Sequence, residues 1–240
     1  MWRSWNFCRM PPVDEYSWAR PLAAEWSLPS ADRGQAGAVA SFPVELDALE
    51  LAPRLIGARL LIDGVGGTIV ETEAYLRNDP ASHSFRGLSR ANAAMFGPPW
   101  HAYIYRSYGL HWCFNIVASR DSGVLIRALA PEHGIEQMSQ RRGAAAARLC
   151  AGPGCLTQAL GVTGALNGLS LSEPPFDITF QSDQRQIVSG PRIGISKARN
   201  QPWRFGLAGS PYLSKPFEGK APETAGQLSR NHSRPLKSSS

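Results

Sequence analysis

The chain has 240 residues, 43% of them hydrophobic, and its 25 Lys and Arg against 19 Asp and Glu give a formal net charge of +6. The hydrophobic content is enough for one sizeable core, so a single domain is expected. The positive charge favours a polyanionic partner, although a basic surface without a nucleic-acid role stays open. No run of eighteen apolar residues occurs and the N-terminus lacks the apolar core of a signal peptide. We therefore expect a cytoplasmic protein with no membrane partner.

The positions of cysteine and lysine argue against a metal site and against Schiff-base chemistry. The cysteines show no CxxC pair and no zinc spacing, which predicts free thiols and no metal site: Cys8, Cys113, Cys150 and Cys155. No lysine precedes Lys197, so we expect only arginine among the cations of any site in the first two thirds of the chain. Schiff-base chemistry, which needs a desolvated amine, is excluded on the same ground.

The first half of the chain predicts an extension, a helix, two strands and a loop. Residues 1–42 lack sustained periodicity and are interpreted as an irregular N-terminal extension. An apolar stripe predicts a short helix at 47–52, and β-forming runs predict strands at 60–62 and 67–73 joined by an Asp-Gly turn. Residues 76–99 are rich in Gly, Pro and Asn and predict a long loop, which inside a compact domain is usually functional.

The second half predicts a hairpin, a further strand and two helices. Aromatic and β-branched runs flank Gly109 and predict strands at 102–108 and 111–118, followed by a strand at 123–130. The alanine-rich stretch predicts a helix over 132–149, and a second helix spans 155–160, with free amides that can bind phosphate. Short strands and turns continue to Ser214, and residues 216–240 are predicted to be a disordered tail.

Two carboxylates in the strand at 67–73 are the strongest chemical signal. Strand alternation places Glu71, Glu73 and Tyr75 on one face and leaves Thr72 and Ala74 on the other. A carboxylate held in an aromatic cleft can act as a general base toward water. A solvated acid on an edge strand is the alternative interpretation of the same residues.

Other polar or aromatic residues gain weight because they lie in the same stretch of the chain, residues 67–127. Asn115 and Arg127 interrupt apolar strands and must either join a polar network or line a site. Tyr108, just before Gly109, would project from a hairpin tip and could wedge into stacked bases, or it is a scattered surface aromatic. His83 lies in the long loop, where a structural role is the more common one.

Six motifs occur in an order and spacing that resemble the alkyladenine (3-methyladenine) DNA glycosylase family: VETEAY, ASHSFRG, MFGPPWHAYIYRSYGLHWCFNIV, VLIRAL, AGPGCLTQALG and RIGISKARNQPWRF. The resemblance covers residues 46–214. It implies an α+β (mixed α/β) fold, one compact domain at 43–215 around a curved, mostly antiparallel β-sheet with peripheral helices. It also implies base-excision repair of double-stranded DNA, by removal of 3-methyladenine, 7-methylguanine, hypoxanthine or ethenoadenine, without cofactor or metal.

The resemblance also implies roles for individual residues. Glu73 would activate water, with Arg127 and a backbone carbonyl near Ile193 holding that water. Tyr75 and His83 on one side and Tyr105 on the other would sandwich the flipped base. Three further residues have implied roles at the DNA or the base: Tyr108 fills the gap in the duplex, Leu110 assists it, and Asn115 crowds the exocyclic amine of guanine.

Three departures from the family pattern stand out. Arg90-Ala91-Asn92 replaces a Pro-Arg-Asn run, Trp100 replaces a frequent glycine, and Cys155 replaces a basic residue. Trp100 is expected to add bulk near the pocket or the DNA backbone, and Cys155 to remove one phosphate contact. The expected enzyme is a monomeric, nucleoid-associated, monofunctional glycosylase. A hydrolase of free nucleosides and a non-catalytic DNA-lesion binder are the alternatives.

Overall fold

The structure, a computed structural model, describes residues 45–181 and 185–217. The predicted extension at 1–42 lies outside the described residues, and so does the predicted tail from residue 218 onward. Pro216 and Phe217 are described and Phe217 is half-buried. The ordered domain therefore extends at least two residues beyond the predicted boundary at 215.

The described residues form one antiparallel sheet of eight strands with helices packed against it. The strands are β1 (Arg59–Ile62), β2 (Val65–Tyr75), β3 (Ala102–Ser107), β4 (His111–Ala118), β5 (Ser122–His133), β6 (Phe176–Thr179), β7 (Ile187–Gly190) and β8 (Arg204–Leu207). The helices are α1 (Ala48–Arg54), α2 (Ile135–Arg142) and α3 (Pro153–Leu160). The sheet curls into half a barrel, and the α+β prediction is confirmed.

Strand β2 is the centre of the sheet. It pairs with β5 along one edge, while its other edge pairs with β1 near the start of β2 and with β8 near its end. Glycine at Gly66 and Gly67 allows this crowding, because a side chain at either position would collide with the backbone of β1 or β5. The two carboxylates of β2 consequently lie inside the fold and not on an edge strand.

The hairpin of β3 and β4 follows the predicted pattern. The strands are in register from Ala102 opposite Ile116 to Ser107 opposite His111. Tyr108 and Gly109 both have positive φ, 49° and 68°, a conformation that suits tight hairpin turns. The turn therefore holds Tyr108 and Leu110 at the tip.

The helix predicted over 132–149 is wrong at both ends. β5 continues to His133, where it still pairs with β2, and Gly134 in the left-handed region separates it from α2. A second left-handed glycine, Gly143, ends α2 at Arg142. The alanine run that follows forms turns and a short 3-10 helix at Ala146–Arg148. Helix propensity is overridden here by the two glycines and by continued strand pairing.

The core fills the space between the sheet and the helices. Side chains of α1, α3 and the central strands are fully buried, with Phe114, Leu51, Ile126 and Leu156 among the largest. Asp47 caps α1 through a capping box with Glu50. None of the helices among residues 45–181 and 185–217 is long and apolar enough to cross a membrane.

Trp100 belongs to this core, so its expected place near the pocket is wrong. Its side chain is 3% exposed and stacks on Phe180, with ring centroids 5.8 Å apart. Its backbone has φ of +63°, a region that glycine adopts without strain. The glycine that the resemblance implies at this position would adopt the same φ without a side chain to accommodate.

Candidate active site

A β-bulge in β5 aims Arg127 at the two carboxylates of β2. Glu71 lies opposite Ala128 and Thr72 opposite Ile126, so Arg127 is an extra residue between them. Bulges of this kind bend a strand and redirect a side chain. The Arg127 carbonyl leaves the β2 ladder and accepts a hydrogen bond of 3.1 Å from the amide of Gly152, just before α3.

Glu73 is fully buried and held by three donors. Its Oε1 accepts a bond of 2.7 Å from the amide of Ile193. Its Oε2 accepts one of 2.8 Å from the Tyr75 hydroxyl and lies 3.3 Å from Nη1 of Arg127. Burial, with Glu73 adding to it, raises the pKa of Tyr75 well above 10, so the hydroxyl stays protonated and donates.

Arg127 bridges Glu73 to the second carboxylate, Glu71. Its Nε lies 3.2 Å from Oε1 of Glu71, and its side chain is 7% exposed. Burial lowers the pKa of Arg127, but the charges of Glu73 and Glu71 outweigh it and raise the pKa above its ordinary value. The guanidinium therefore stays charged between two buried carboxylates.

A cavity of ≈ 580 Å³ opens beside this cluster. Tyr75, Arg127 and Ile193, the three residues that hold Glu73, all line it. Other lining residues come from the long loop, the β3–β4 hairpin and the start of α3: Pro80, His83, Met95, Tyr103, Tyr105, Asn115 and Pro153. The size and the aromatic lining fit a flat heterocycle.

The aromatic walls differ from the implied grouping of His83 with Tyr75. His83 packs edge-on against Tyr105 with ring centroids 4.4 Å apart, and its Nδ1 lies 2.7 Å from the Tyr103 hydroxyl. Tyr103 in turn stacks on Tyr105 at 5.5 Å. His83 therefore shares a wall with Tyr105, because its hydrogen bond to β3 draws the loop toward that strand. Partial burial lowers the pKa of His83, which favours a neutral imidazole in this wall.

Asn115 lies in β4 with its side chain in the cavity wall. Its Nδ2 donates a hydrogen bond of 3.0 Å to the carbonyl of Tyr103, the residue opposite it on β3. This bond fixes the amide plane against the sheet. Asn115 therefore presents a fixed amide surface to the cavity.

Tyr108 and Leu110 project from the hairpin tip at the mouth of the cavity. Tyr108 is 87% exposed and Leu110 79% exposed, and Tyr108 also lines the cavity. Two large apolar side chains displayed together at a turn are costly in water unless they have a partner.

Every cation in the stretch at 67–127 is arginine, but the cavity also takes a cation from outside that stretch. Lys197, distant in sequence, lines the cavity together with Arg106. The loop after β7 carries it there, and no local pattern in the sequence reveals that return. Lys197 is exposed, whereas an amine that forms an imine has to be desolvated.

Arg192, which is not among the predicted site residues, packs against the Tyr75 ring and supports that wall of the cavity. Its guanidinium lies 4.6 Å from the Tyr75 ring centroid and 5.0 Å from that of Trp203. It also pairs with Asp79, and both side chains are fully buried. An arginine among apolar neighbours, the signal that singled out Arg127, is present at Arg192 as well.

The three described cysteines are free, as predicted: Cys113, Cys150 and Cys155. Cys8 lies outside the described residues. Cys113 lines the cavity beside Tyr105, and burial raises the pKa of its thiol.

Comparison with known proteins agrees with this geometry. The family model described as methylpurine-DNA glycosylase matches residues 42–211. A protein of Nitrosospira multiformis named "Putative 3-methyladenine DNA glycosylase" is 56% identical over 181 residues, covering 74% of this chain and 94% of that protein. Proteins of the same name from Rhodopseudomonas palustris strain HaA2 and Rhizobium meliloti are 58% and 56% identical over 173 and 171 residues, covering 70% and 71% of this chain and 86% and 92% of theirs. With this match over the whole sheet and the cavity, the chain belongs to the methylpurine-DNA glycosylase family.

Proposed function

We propose that this chain is a monofunctional, monomeric DNA glycosylase that extrudes a damaged purine nucleotide and hydrolyses its N-glycosidic bond. The coarser part, an N-glycosyl hydrolase of alkylation repair that acts on DNA, follows from the family. The observation that carries the finer part is the buried Glu73–Arg127 pair directly behind an aromatic cavity.

Glu73 is suited to activate water. A carboxylate has about four hydrogen-bond acceptor sites, and three are occupied by Ile193, Tyr75 and Arg127. Oε1 carries only one of these bonds among the described residues, so it can accept one more from a water that enters through the cavity. Arg127 places its positive charge 3.3 Å from Oε2 of Glu73 and so helps to hold the carboxylate in position.

The base is proposed to lie between Tyr75 and the wall formed by His83, Tyr103 and Tyr105. Burial raises the pKa of Tyr105 and Tyr103 above 10, so both rings stay neutral. Neutral rings attract an alkylated purine that carries positive charge, by about 0.5–2 kcal/mol. A cationic purine is also a good leaving group, so one general base, Glu73, and one water molecule are enough for hydrolysis.

The charges around the cavity suit a duplex better than a free nucleoside. Arg106 and Lys197 line the cavity and are both exposed, where they can meet phosphates on either side of an extruded nucleotide. The exposed Tyr108 and Leu110 can fill the space that the nucleotide leaves. Neither feature is needed for a free nucleoside.

Single-turnover base release tests the proposal. We expect purified protein to release at least one base from duplexes containing hypoxanthine, ethenoadenine, 7-methylguanine or 3-methyladenine, and to leave an intact abasic strand. An undamaged duplex and the free nucleosides serve as controls. Binding without release would favour the lesion binder, release from free nucleosides the nucleoside hydrolase, and β-elimination products would contradict monofunctional chemistry.

Tyr108→Ala is expected to lower base release from a paired lesion by about tenfold, because the extruded state loses the side chain that fills the gap and unstacking costs a few kcal/mol. A lesion opposite a mismatched base should be affected less, since its extrusion costs less. The measurement is the single-turnover rate constant for both duplexes.

The matched control for Tyr108 is Leu169→Ala. Leu169 is also an exposed apolar residue, 41% exposed, and it lies outside the cavity lining. Both variants should keep wild-type stability to within about 0.5 kcal/mol. Equal loss on paired and mismatched lesions would rule out a gap-filling role for Tyr108.

A further inference from the structure

Glu71 is a buried carboxylate that the proposed reaction does not use. It is fully buried, and the cavity lining does not include it. Its Oε1 lies 2.7 Å from Nε of Arg204 and 3.2 Å from Nε of Arg127. Desolvating a carboxylate costs several kcal/mol, so its partners must offset that cost. Glu71 in turn fixes the positions of those partners, Arg127 and Arg204.

The segment 213–217, here called the C-terminal strap, supplies the remaining partners. The Ser214 amide donates to Oε2 of Glu71 at 2.5 Å, and the Ser214 hydroxyl donates to Oε1 at 2.7 Å. The same hydroxyl lies 3.4 Å from Nη2 of Arg127. Ser214 thus contacts both the second carboxylate and the arginine that holds Glu73.

Arg204 and Phe217 fasten the strap to the sheet. The Arg204 guanidinium donates to the carbonyls of Lys215 and Pro216 and lies 3.9 Å from the Phe217 ring centroid. A side chain at Gly206 would clash with the Phe217 ring. The strap therefore covers β8 closely and is held at both its Ser214 end and its Phe217 end.

The charges of this cluster balance only when Glu71 is in place, and the strap adds neutral hydrogen-bond partners to it. Two carboxylates, Glu71 and Glu73, face two arginines, Arg127 and Arg204. Arg127 reaches Glu73 with Nη1 while Nε is held by Glu71. Loss of the Glu71 side of this arrangement would free the guanidinium to rotate away from Glu73.

We propose that the C-terminal strap positions Arg127, and through it Glu73, for base release, with Glu71, Arg204 and Ser214 as positioning residues. The inference rests on the proposed glycosylase function. The strap lies beyond residue 211, where the family match ends, so the match assigns it no role. Its effect should appear in the chemical step and not in DNA affinity, since none of these residues lines the cavity.

The test compares Ser214→Ala, Ser214→Thr and the control Ser210→Ala in the full-length chain. Ser210 lies just before the strap, and its hydroxyl accepts only a local bond of 3.3 Å from the amide of Tyr212 among the described residues. We expect Ser214→Ala to lower the single-turnover rate constant by about tenfold, because it loses one charge-assisted hydrogen bond while the amide still donates. Ser214→Thr, which keeps the hydroxyl, should restore the rate to within about threefold of wild type.

Two further measurements separate positioning from folding and from the function itself. DNA dissociation constants should be unchanged in all three variants, and only Ser214→Ala should lower the melting temperature, by a few degrees, because a buried carboxylate loses one donor. An unchanged rate in Ser214→Ala would overturn the inference, as would parallel losses of rate, affinity and melting temperature. Absence of base release by the wild type would overturn the proposed function, and with it the reaction that the strap is inferred to support.

Discussion

Glu73→Gln should lower the rate constant for base release by about 10²–10⁴-fold while duplex binding persists. Glutamine has nearly the same shape but presents an NH₂ group where glutamate has an acceptor oxygen. Whichever way the amide turns, one end meets donors: the Ile193 amide at Oε1, or the Tyr75 hydroxyl and Arg127 at Oε2. The variant therefore loses the general base and at least one of the hydrogen bonds that hold its side chain. Single-turnover kinetics and a DNA-binding titration measure the two effects.

Glu132→Gln is the matched control for the Glu73 variant. Glu132 is exposed on β5 and accepts a hydrogen bond of 2.7 Å from the Thr68 hydroxyl, outside the cavity lining. Its rate should stay close to wild type. Release by Glu73→Gln at the rate of this control would remove Glu73 from the mechanism.

Arg192→Met should destabilise the protein by about 3–5 kcal/mol, because it leaves Asp79 as a buried charge without its partner. The variant also loses the bond of 2.9 Å to the Ala74 carbonyl and the stacking between Tyr75 and Trp203. The midpoint of urea unfolding and its slope give the change in the free energy of unfolding. Base release should fall as well, since Arg192 supports the Tyr75 wall and precedes Ile193.

Two further variants calibrate the Arg192 result. Arg59→Met breaks an exposed pair with Asp177, whose side chains are 36% and 54% exposed, and should cost at most about 1 kcal/mol. Combining Arg192→Met with Asp79→Asn should recover part of the lost stability, because the unpaired charge is removed. A cost for Arg192→Met no larger than that of Arg59→Met would mean that the buried pair contributes no net stability.

Local signals in the sequence predict β1 to β5 and the places of α1 and α3, but not the bounds of α2. The strand at 111–118 is predicted to the residue, and the hairpin around Gly109 follows from its turn chemistry. Strand pairing across the sheet is nonlocal, so the extension of β5 to His133 opposite Gly66 has no signal in residues 132–149 themselves. The alanine run at 144–147 favours a helix locally, but Gly143 ends α2 before the run begins.

The candidate site likewise has a part that local sequence patterns predict and a part that only the folded chain brings together. Alternation along β2 places Glu71, Glu73 and Tyr75 on one face, and the structure agrees. The partners of these residues come from far along the chain: Arg192, Ile193, Arg204 and Ser214. Their roles depend on where loops return in space, which no spacing in one sequence encodes. The grouping of His83 with Tyr105 depends likewise on a loop reaching β3.

The central place of β2 has a consequence for substrate choice. Because β2 is hydrogen-bonded to β1, β5 and β8, Glu71 and Glu73 hold their positions before DNA binds. These carboxylates need no ordering on binding, so no such ordering step can discriminate between bases. Under the proposed function, selection then operates on the nucleotide, through the cost of opening its base pair and through its fit to a preformed cavity. A weakly paired lesion is extruded at lower cost, and a normal base pair is protected by the cost of opening it.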